Sequence, residues 1–304
     1  MRRARFWVAA MVAVLALIVA SCASNEDQGG GETAATGATG ATATGATATG
    51  ATATGATGET AAPTFTTLSE GVLKVGSCLD YPPFEAIEGG DEVGFDIDLT
   101  DEIASRLGLQ VEWVVANFST IFTAVAGGEF DMVAAAATIG AKREQTVDFS
   151  TPYFNSRQAL VVNTNETPDL TSTDQLESGD VVGAQAGTTG AIWVEENLVP
   201  NGIKIQTFQS ATDGLRALEG GGMTAFVADE PFVAEATKDL PSLAVVQGID
   251  THEKYGLAFS PENPELRDAV NAALAEIIAD GTYAEIYGVW FPGAPIPPEY
   301  QPAG

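Results

Sequence analysis

The sequence predicts an α/β protein of two lobes, each a mostly parallel sheet flanked by helices. Three observations carry this. Short apolar runs alternate with segments of helical spacing over residues 72–260, the pattern of parallel strands joined by helical crossovers. The alternation falls into two sets, 70–160 and 164–250. After the second set come helices with few strands left, which sends the end of the chain back onto the first lobe and requires two crossings, near 158–164 and 249–256.

VLKVGS (72–77) has the composition of a buried strand. GFDIDLTDEIASRLG (94–108) places Phe95, Leu99, Ile103 and Leu107 on one helical face, and Gly108 stops the helix. VEWVV (111–115) is a strand. FSTIFTAVAGG (118–128) is a helix with polar residues at its start and glycines at its end. FDMVAAA (130–136) and RQALVV (157–162) are strands, as are VVGAQ (181–185), IKIQTF (203–208), MTAFVAD (223–229) and LAVVQ (243–247) in the second set. Helices between them start near Thr188, Thr212 and Glu230, and YGLAFS (255–260) follows. NPELRDAVNAALAEIIADG (263–281) is the clearest helix: Asn263 can cap it, Pro264 takes its first position, and Leu266, Val270, Leu274 and Ile277 share a face. TYAEIYGVWF (282–291) is a shorter helix, and residues 293–304 form a proline-rich tail.

At the other end, Arg2, Arg3 and Arg5 precede an apolar run too short to span a membrane. Val19-Ala20-Ser21-Cys22 resembles the lipobox of bacterial lipoproteins, in which the cysteine becomes the lipidated first residue. Residues 1–21 are therefore expected to be a signal peptide and Cys22 the lipidation site, leaving the protein on the extracellular face of the cell membrane, held by lipid alone. Residues 22–67, largely Gly, Ala and Thr, cannot bury a core and are expected to be a disordered tether. Lobe 1 is assigned to 68–160, lobe 2 to 161–252, and 253–292 to the return to lobe 1.

Acidic residues outnumber basic ones 41 to 13, for a net charge of −28. Such a surface repels nucleic acid and anionic lipid. Cys22 and Cys78 are the only cysteines, so no disulfide forms within the mature domain, and no Cys/His zinc cluster can be assembled. His252 is the single histidine, which leaves no Ser-His-Asp set, and the AGTTG stretch lacks the lysine of a phosphate-binding loop. A monomeric binding protein without metal or cofactor, rather than an enzyme, is expected.

Three polar sites fall at strand ends, where open α/β sheets place their ligands. Thr138 and Arg143 follow the strand 130–136; Gly187-Thr188-Thr189 lie between a strand and a helix; Asp229 ends MTAFVAD. A guanidinium fork suits a planar carboxylate, amides at a helix start add partial positive charge, and an aspartate suits an ammonium. Together they describe a receptor for an α-amino acid.

VGSCLDYPPFE, GFDIDL, FSTIFTAV, ATIGAKREQTVDFSTPYF, VGAQAGTTG, FVADEP, YGLAFS and DGTYAEIYGVWF, spread over about 70–291, resemble the family 3 extracellular solute-binding proteins of ABC importers for polar amino acids. The resemblance implies the two-lobed, type II periplasmic-binding-protein-like fold and a membrane permease as partner. It also implies roles: Arg143 on the α-carboxylate, helped by Thr138 and the amides around Gly187 and Thr188; Asp229 on the α-ammonium, with the Ala136 carbonyl; Tyr81 and Phe118 on either side of the ligand. Cys78 stands where members that bind basic amino acids often carry aspartate, so a neutral polar or acidic amino acid is expected, with Cys78 at the pocket. Gly140-Ala141 is a second departure and loosens the turn before Arg143. Phe84 and Trp193 are assigned to the core, Asp96 and Asp98 to a helix start, His252 to a solvated loop. A dehydratase or a sensory receptor on the same scaffold is the alternative.

Overall fold

The computed structural model describes residues 65–302, which lie in one compact unit. The expected signal peptide, Cys22 and nearly all of the tether fall outside the described residues. The elements run β1 (Val72–Ser77), β2 (Asp80–Tyr81), β3 (Glu85–Glu88), β4 (Asp91–Val93), α1 (Phe95–Leu107), β5 (Gln110–Val115), α2 (Phe118–Ala126), β6 (Met132–Val133), β7 (Asp148–Phe149) and β8 (Phe154–Asn163). They continue with β9 (Val181–Gln185), α3 (Thr189–Asn197), β10 (Lys204–Phe208), α4 (Ala211–Glu219), β11 (Ala225–Asp229), α5 (Glu230–Ala236), β12 (Leu243–Tyr255), β13 (Ala258–Phe259), α6 (Pro264–Ala279) and α7 (Thr282–Trp290).

Two five-stranded sheets form the two lobes, in the orders β5-β1-β6-β13-β7 and β10-β9-β11-β8-β12. Each is parallel on one side and antiparallel on the other: β1 pairs in parallel with β5 and β6, whereas β13 runs against β6 and β7. In the second sheet β9 is parallel to β10 and β11, while β8 runs against β11 and β12. Alternation on β8 shows why both faces are covered. Ala159 and Val161 belong to one apolar cluster and Leu160 and Val162 to another, all essentially inaccessible. The first cluster continues into lobe 1 through α1, α6 and α7, so the C-terminal helices return to the first lobe.

Several elements differ from the sequence expectation. FDMVAAA pairs only at Met132–Val133, because Ala136 turns out of the strand at φ 45°. β12 is 13 residues long rather than five; two irregularities of register, at Val245/Gln247 and Ile249/Glu253, hide its continuity in the sequence. His252 therefore sits on a bulged strand, at φ 51° and with its side chain exposed, rather than in a loop. β8 and β12 themselves run between the lobes: Phe154 and Tyr255 pack on Phe84 of the first lobe, and the Ile139 amide donates to the Lys254 carbonyl at 2.8 Å, while the other ends of both strands lie in the second sheet. The hairpin β2–β3–β4 has no counterpart among the expected elements. Among the described residues no helix is long and apolar enough to cross a membrane.

Candidate ligand-binding cleft

The ends of β1, β6, β9 and β11 converge between the two sheets. There Cys78, Tyr81, Glu85, Phe118, Ala135, Ala136, Thr138, Arg143, Gln185, Thr188, Thr189 and Asp229 line a cleft that, counted together with the open solvent at its mouth, holds about 320 Å³ of empty space. Every ligand-binding residue expected from the sequence except Gly187 lines this cavity. Gly187 lines the wider opening beside it, which also shares Thr138, Arg143 and Thr188.

Arg143 starts a single 3-10 turn, closed by its amide and that of Glu144 donating to the Gly140 carbonyl at 2.9 and 3.0 Å. The Gly140-Ala141 departure therefore keeps a formed turn. The guanidinium donates Nη1–H to the Thr138 carbonyl at 2.6 Å and Nη2–H to the Gly187 carbonyl, on the other lobe, at 3.2 Å. Its charged centre stands 4.6 Å from the Phe122 ring and 5.2 Å from Phe118, within cation–π range. Enclosure lowers its pKa to about 10, opposed by the charges of Asp229 and Glu253, so it stays cationic at neutral pH.

Thr188 is the N-cap of α3. Its hydroxyl accepts from the Ala191 amide at 3.1 Å and donates to the Gln185 carbonyl at 2.7 Å. The side chain is thus committed to the helix, and what it offers the cleft is backbone at the positive end of a nine-residue helix. Gly187 has φ 79°, and a Cβ there would come within 3.1 Å of Ser119 Cα at the start of α2. Glycine is needed both for the left-handed turn and for the close approach of the lobes.

Asp229 is the N-cap residue of α5 but makes no side-chain cap. Its carboxylate faces the cleft, where Oδ2 accepts from Tyr81 Oη at 2.9 Å and from Tyr255 Oη at 2.7 Å, and Oδ1 from Gln158 Nε2. Burial, then the neighbouring charge of Glu253, raises its pKa to about 7 against these three stabilising donors. Glu253 gathers a second set: Thr138 Oγ1 at 2.6 Å, Thr189 Oγ1 at 2.8 Å, Gln158 Nε2 at 2.9 Å and Thr251 Oγ1 at 2.9 Å all donate to it. The Thr138 hydroxyl is therefore spent on tying β6 to β12.

The structure adds residues that the sequence reading left out. Glu253, Gln158 and Tyr255 come from the long pair β8/β12, whose reach depends on distant pairing. Asp96 is more than a helix-start acid. Fully buried, it accepts from the Ala136 amide and from Tyr153 Oη, both at 2.8 Å, and so fixes Ala136 in its unusual conformation beside the cleft. Burial pushes the Asp96 carboxyl up to about 7. Phe84 lies fully in the core, Trp193 is partly buried against the outer cluster of the second sheet, and Asp98 accepts from Trp290 Nε1 at 2.6 Å. Glu85, from the unforeseen hairpin, is 1% exposed and leaves Oε2 without a hydrogen-bond partner. Among the described residues no cluster of His, Cys, Asp and Glu is arranged to hold a metal ion.

Over residues 73–293 the sequence matches the model of the bacterial extracellular solute-binding proteins, family 3. The chain belongs to that family. A probable histidine-binding protein of Neisseria gonorrhoeae is 30% identical over 228 residues, 72% of this chain and 83% of that one. An ABC transporter arginine-binding protein 1 of Escherichia coli K12 is 28% identical over 235 residues, covering 75% and 94%. Among solved structures, an ancestral amino acid-binding protein described as a precursor of cyclohexadienyl dehydratase superposes with a TM-score of 0.68 at 35% identity, over 73% of this chain and 96% of that one.

In this solute-binding protein Cys78 is a half-buried thiol that burial, Glu85 and Asp80 push up, so it is protonated and packs as a small side chain. Glu85 lines the same cavity.

Proposed function

We propose that this family 3 solute-binding protein captures one amino acid between its lobes, with Arg143 and the start of α3 on the α-carboxylate and Asp229 on the α-ammonium. The observation that carries the reading is that Arg143 and Asp229, of opposite charge and from different lobes, line a single cavity. Tyr81 and Phe118 wall the ligand, and the Ala136 carbonyl completes the ammonium site. Bridging both lobes gives the ligand its preference for the closed arrangement.

The side chain of the ligand lies toward Cys78 and Glu85. A buried carboxylate with no cation beside it disfavours an acidic side chain and favours a cationic or donor-rich one such as arginine, lysine or histidine. This replaces the neutral or acidic side chain expected from Cys78 alone, and it is in line with the histidine and arginine for which the Neisseria gonorrhoeae and Escherichia coli relatives are named. The chain is held at the outer face of the membrane through lipidated Cys22, works as a monomer, needs no cofactor, and hands its cargo to the permease of an ABC importer.

Calorimetric titration with the twenty amino acids tests the reading. Saturable, stoichiometric binding of a basic amino acid without turnover supports it. No binding by any amino acid refutes it, and consumption of an amino acid or of a prephenate-like acid would instead make the protein a dehydratase-like enzyme.

A further inference from the structure

Glu85 is the buried acid of the cleft that no basic group answers. It leaves β3 opposite Tyr81 and points into the cavity with Oε2 unpartnered at 1% exposure. The titratable groups that face it come from five neighbouring segments, and none is basic. They are Asp80 and Tyr81 on β2, Asp96 on α1, Asp229 at the end of β11, Cys78 after β1 and Tyr153 before β8. Arg143, the one cation lining the cavity, is engaged by two carbonyls and has Asp229 and Glu253 as its acidic neighbours. A bare carboxylate in such surroundings is costly, and the inexpensive remedy is a proton. Burial and the facing acids accordingly hold the Glu85 carboxyl well above the usual carboxylate range.

A cationic side chain entering beside Glu85 makes that proton superfluous. We propose that capture of a cationic amino acid in this cleft is coupled to release of one proton from Glu85: the acid Glu85–COOH becomes Glu85–COO⁻ paired with the ligand's cation, and the proton passes to solvent. The inference rests on the proposed function and adds a pH dependence to the same site. Arginine affinity then rises with pH, by up to about tenfold per unit where a whole proton is released, and levels off at high pH. Citrulline, which replaces the guanidinium by a neutral urea of the same shape, lacks the Glu85 contribution. Any proton displaced from Asp229 by the shared α-ammonium is common to both ligands and cancels in the comparison.

The test is calorimetric titration of the whole protein with arginine and with citrulline, in buffers of differing ionisation enthalpy, between pH 6 and 8. The expected result is about one more proton released with arginine, an arginine-to-citrulline affinity ratio that grows with pH, and loss of the excess proton in Glu85→Gln. Equal proton counts for the two ligands, a pH-independent ratio, or an excess that survives in Glu85→Gln would overturn the coupling while leaving amino acid capture intact. Binding of no amino acid would overturn capture and the coupling together. The pH dependence of the ratio is read on the native protein alone, so the test stands even where Glu85→Gln folds poorly.

Discussion

The phenol of Tyr81 and the carboxylate of Asp229 join the two lobes directly: Oη donates to Oδ2 at 2.9 Å, between residues 148 positions apart. The Tyr81 ring also stacks on Phe232 of α5, with centroids 4.0 Å apart and planes inclined by 6°. The wall of the cleft is thus itself a clasp between lobes. Tyr81→Phe keeps the ring and removes the donor, so it is expected to lower the unfolding free energy by about 1–3 kcal/mol. It should also increase the radius of gyration without added amino acid. Denaturant titration and small-angle scattering read the two effects.

Removing the guanidinium tests the carboxylate end. Losing one partner of a buried charge pair typically costs about 2–5 kcal/mol, so Arg143→Ala should weaken amino acid binding by roughly 30-fold to several thousandfold. Arg143→Lys keeps the charge but not the fork that reaches both Thr138 and Gly187 carbonyls, and should recover only part of the loss. Titration calorimetry on the two variants checks the order.

Gly187→Ala touches no charge. The added methyl meets Ser119 Cα at 3.1 Å, and the left-handed backbone adds about 1–2 kcal/mol of strain. The lobes are expected to close less fully and amino acid affinity to fall about tenfold, with the far-ultraviolet circular dichroism unchanged. Wild-type affinity in this variant would show that the close approach has no part in capture.

Asp96 and Asp229 both carry pKa values raised to about 7, above the unfolded value near 3.8. The stability held in their protonated forms is fully present below about 3.8 and is lost as pH rises through about 7. The protein should therefore resist unfolding better at pH 5.5 than at pH 8. For the fully buried Asp96 alone the difference is on the order of 2 kcal/mol. Calorimetric melts should show a Tm a few degrees higher at the lower pH, with the dependence flattened in Asp96→Asn.

The parts of the cleft that were legible in the sequence sit where local pattern and residue type coincide. Arg143, Thr188 and Asp229 are polar groups at the carboxyl ends of apolar runs, and that position is itself a signal for a ligand site. Glu85 carried no such signal. It lies in a hairpin of strands two to four residues long, too short to show alternation, directly after Pro82-Pro83-Phe84. Asp96 is a helix-start acid as expected, and its further contacts stay hidden because an acid in the first turn of a helix already has a local explanation in the helix dipole. Only the distant Tyr153 and Ala136 reveal its second task. Glu253 and Gln158 were missed for a third reason: they act from paired strands whose register shifts twice, and a shift of one residue exchanges inward for outward faces. Long-range pairing of that kind leaves little trace in periodicity.

The course of the chain through the two sheets also sets an order of assembly. Every strand of the second sheet lies within the unbroken stretch 154–255, whereas the first sheet needs β13, which sits between β6 and β7. As the polypeptide emerges from its N-terminus, the later-synthesised lobe can complete its hydrogen-bonded ladder while the earlier one still lacks its linking strand and its closing helices. The half of the molecule that begins first is the half that finishes last.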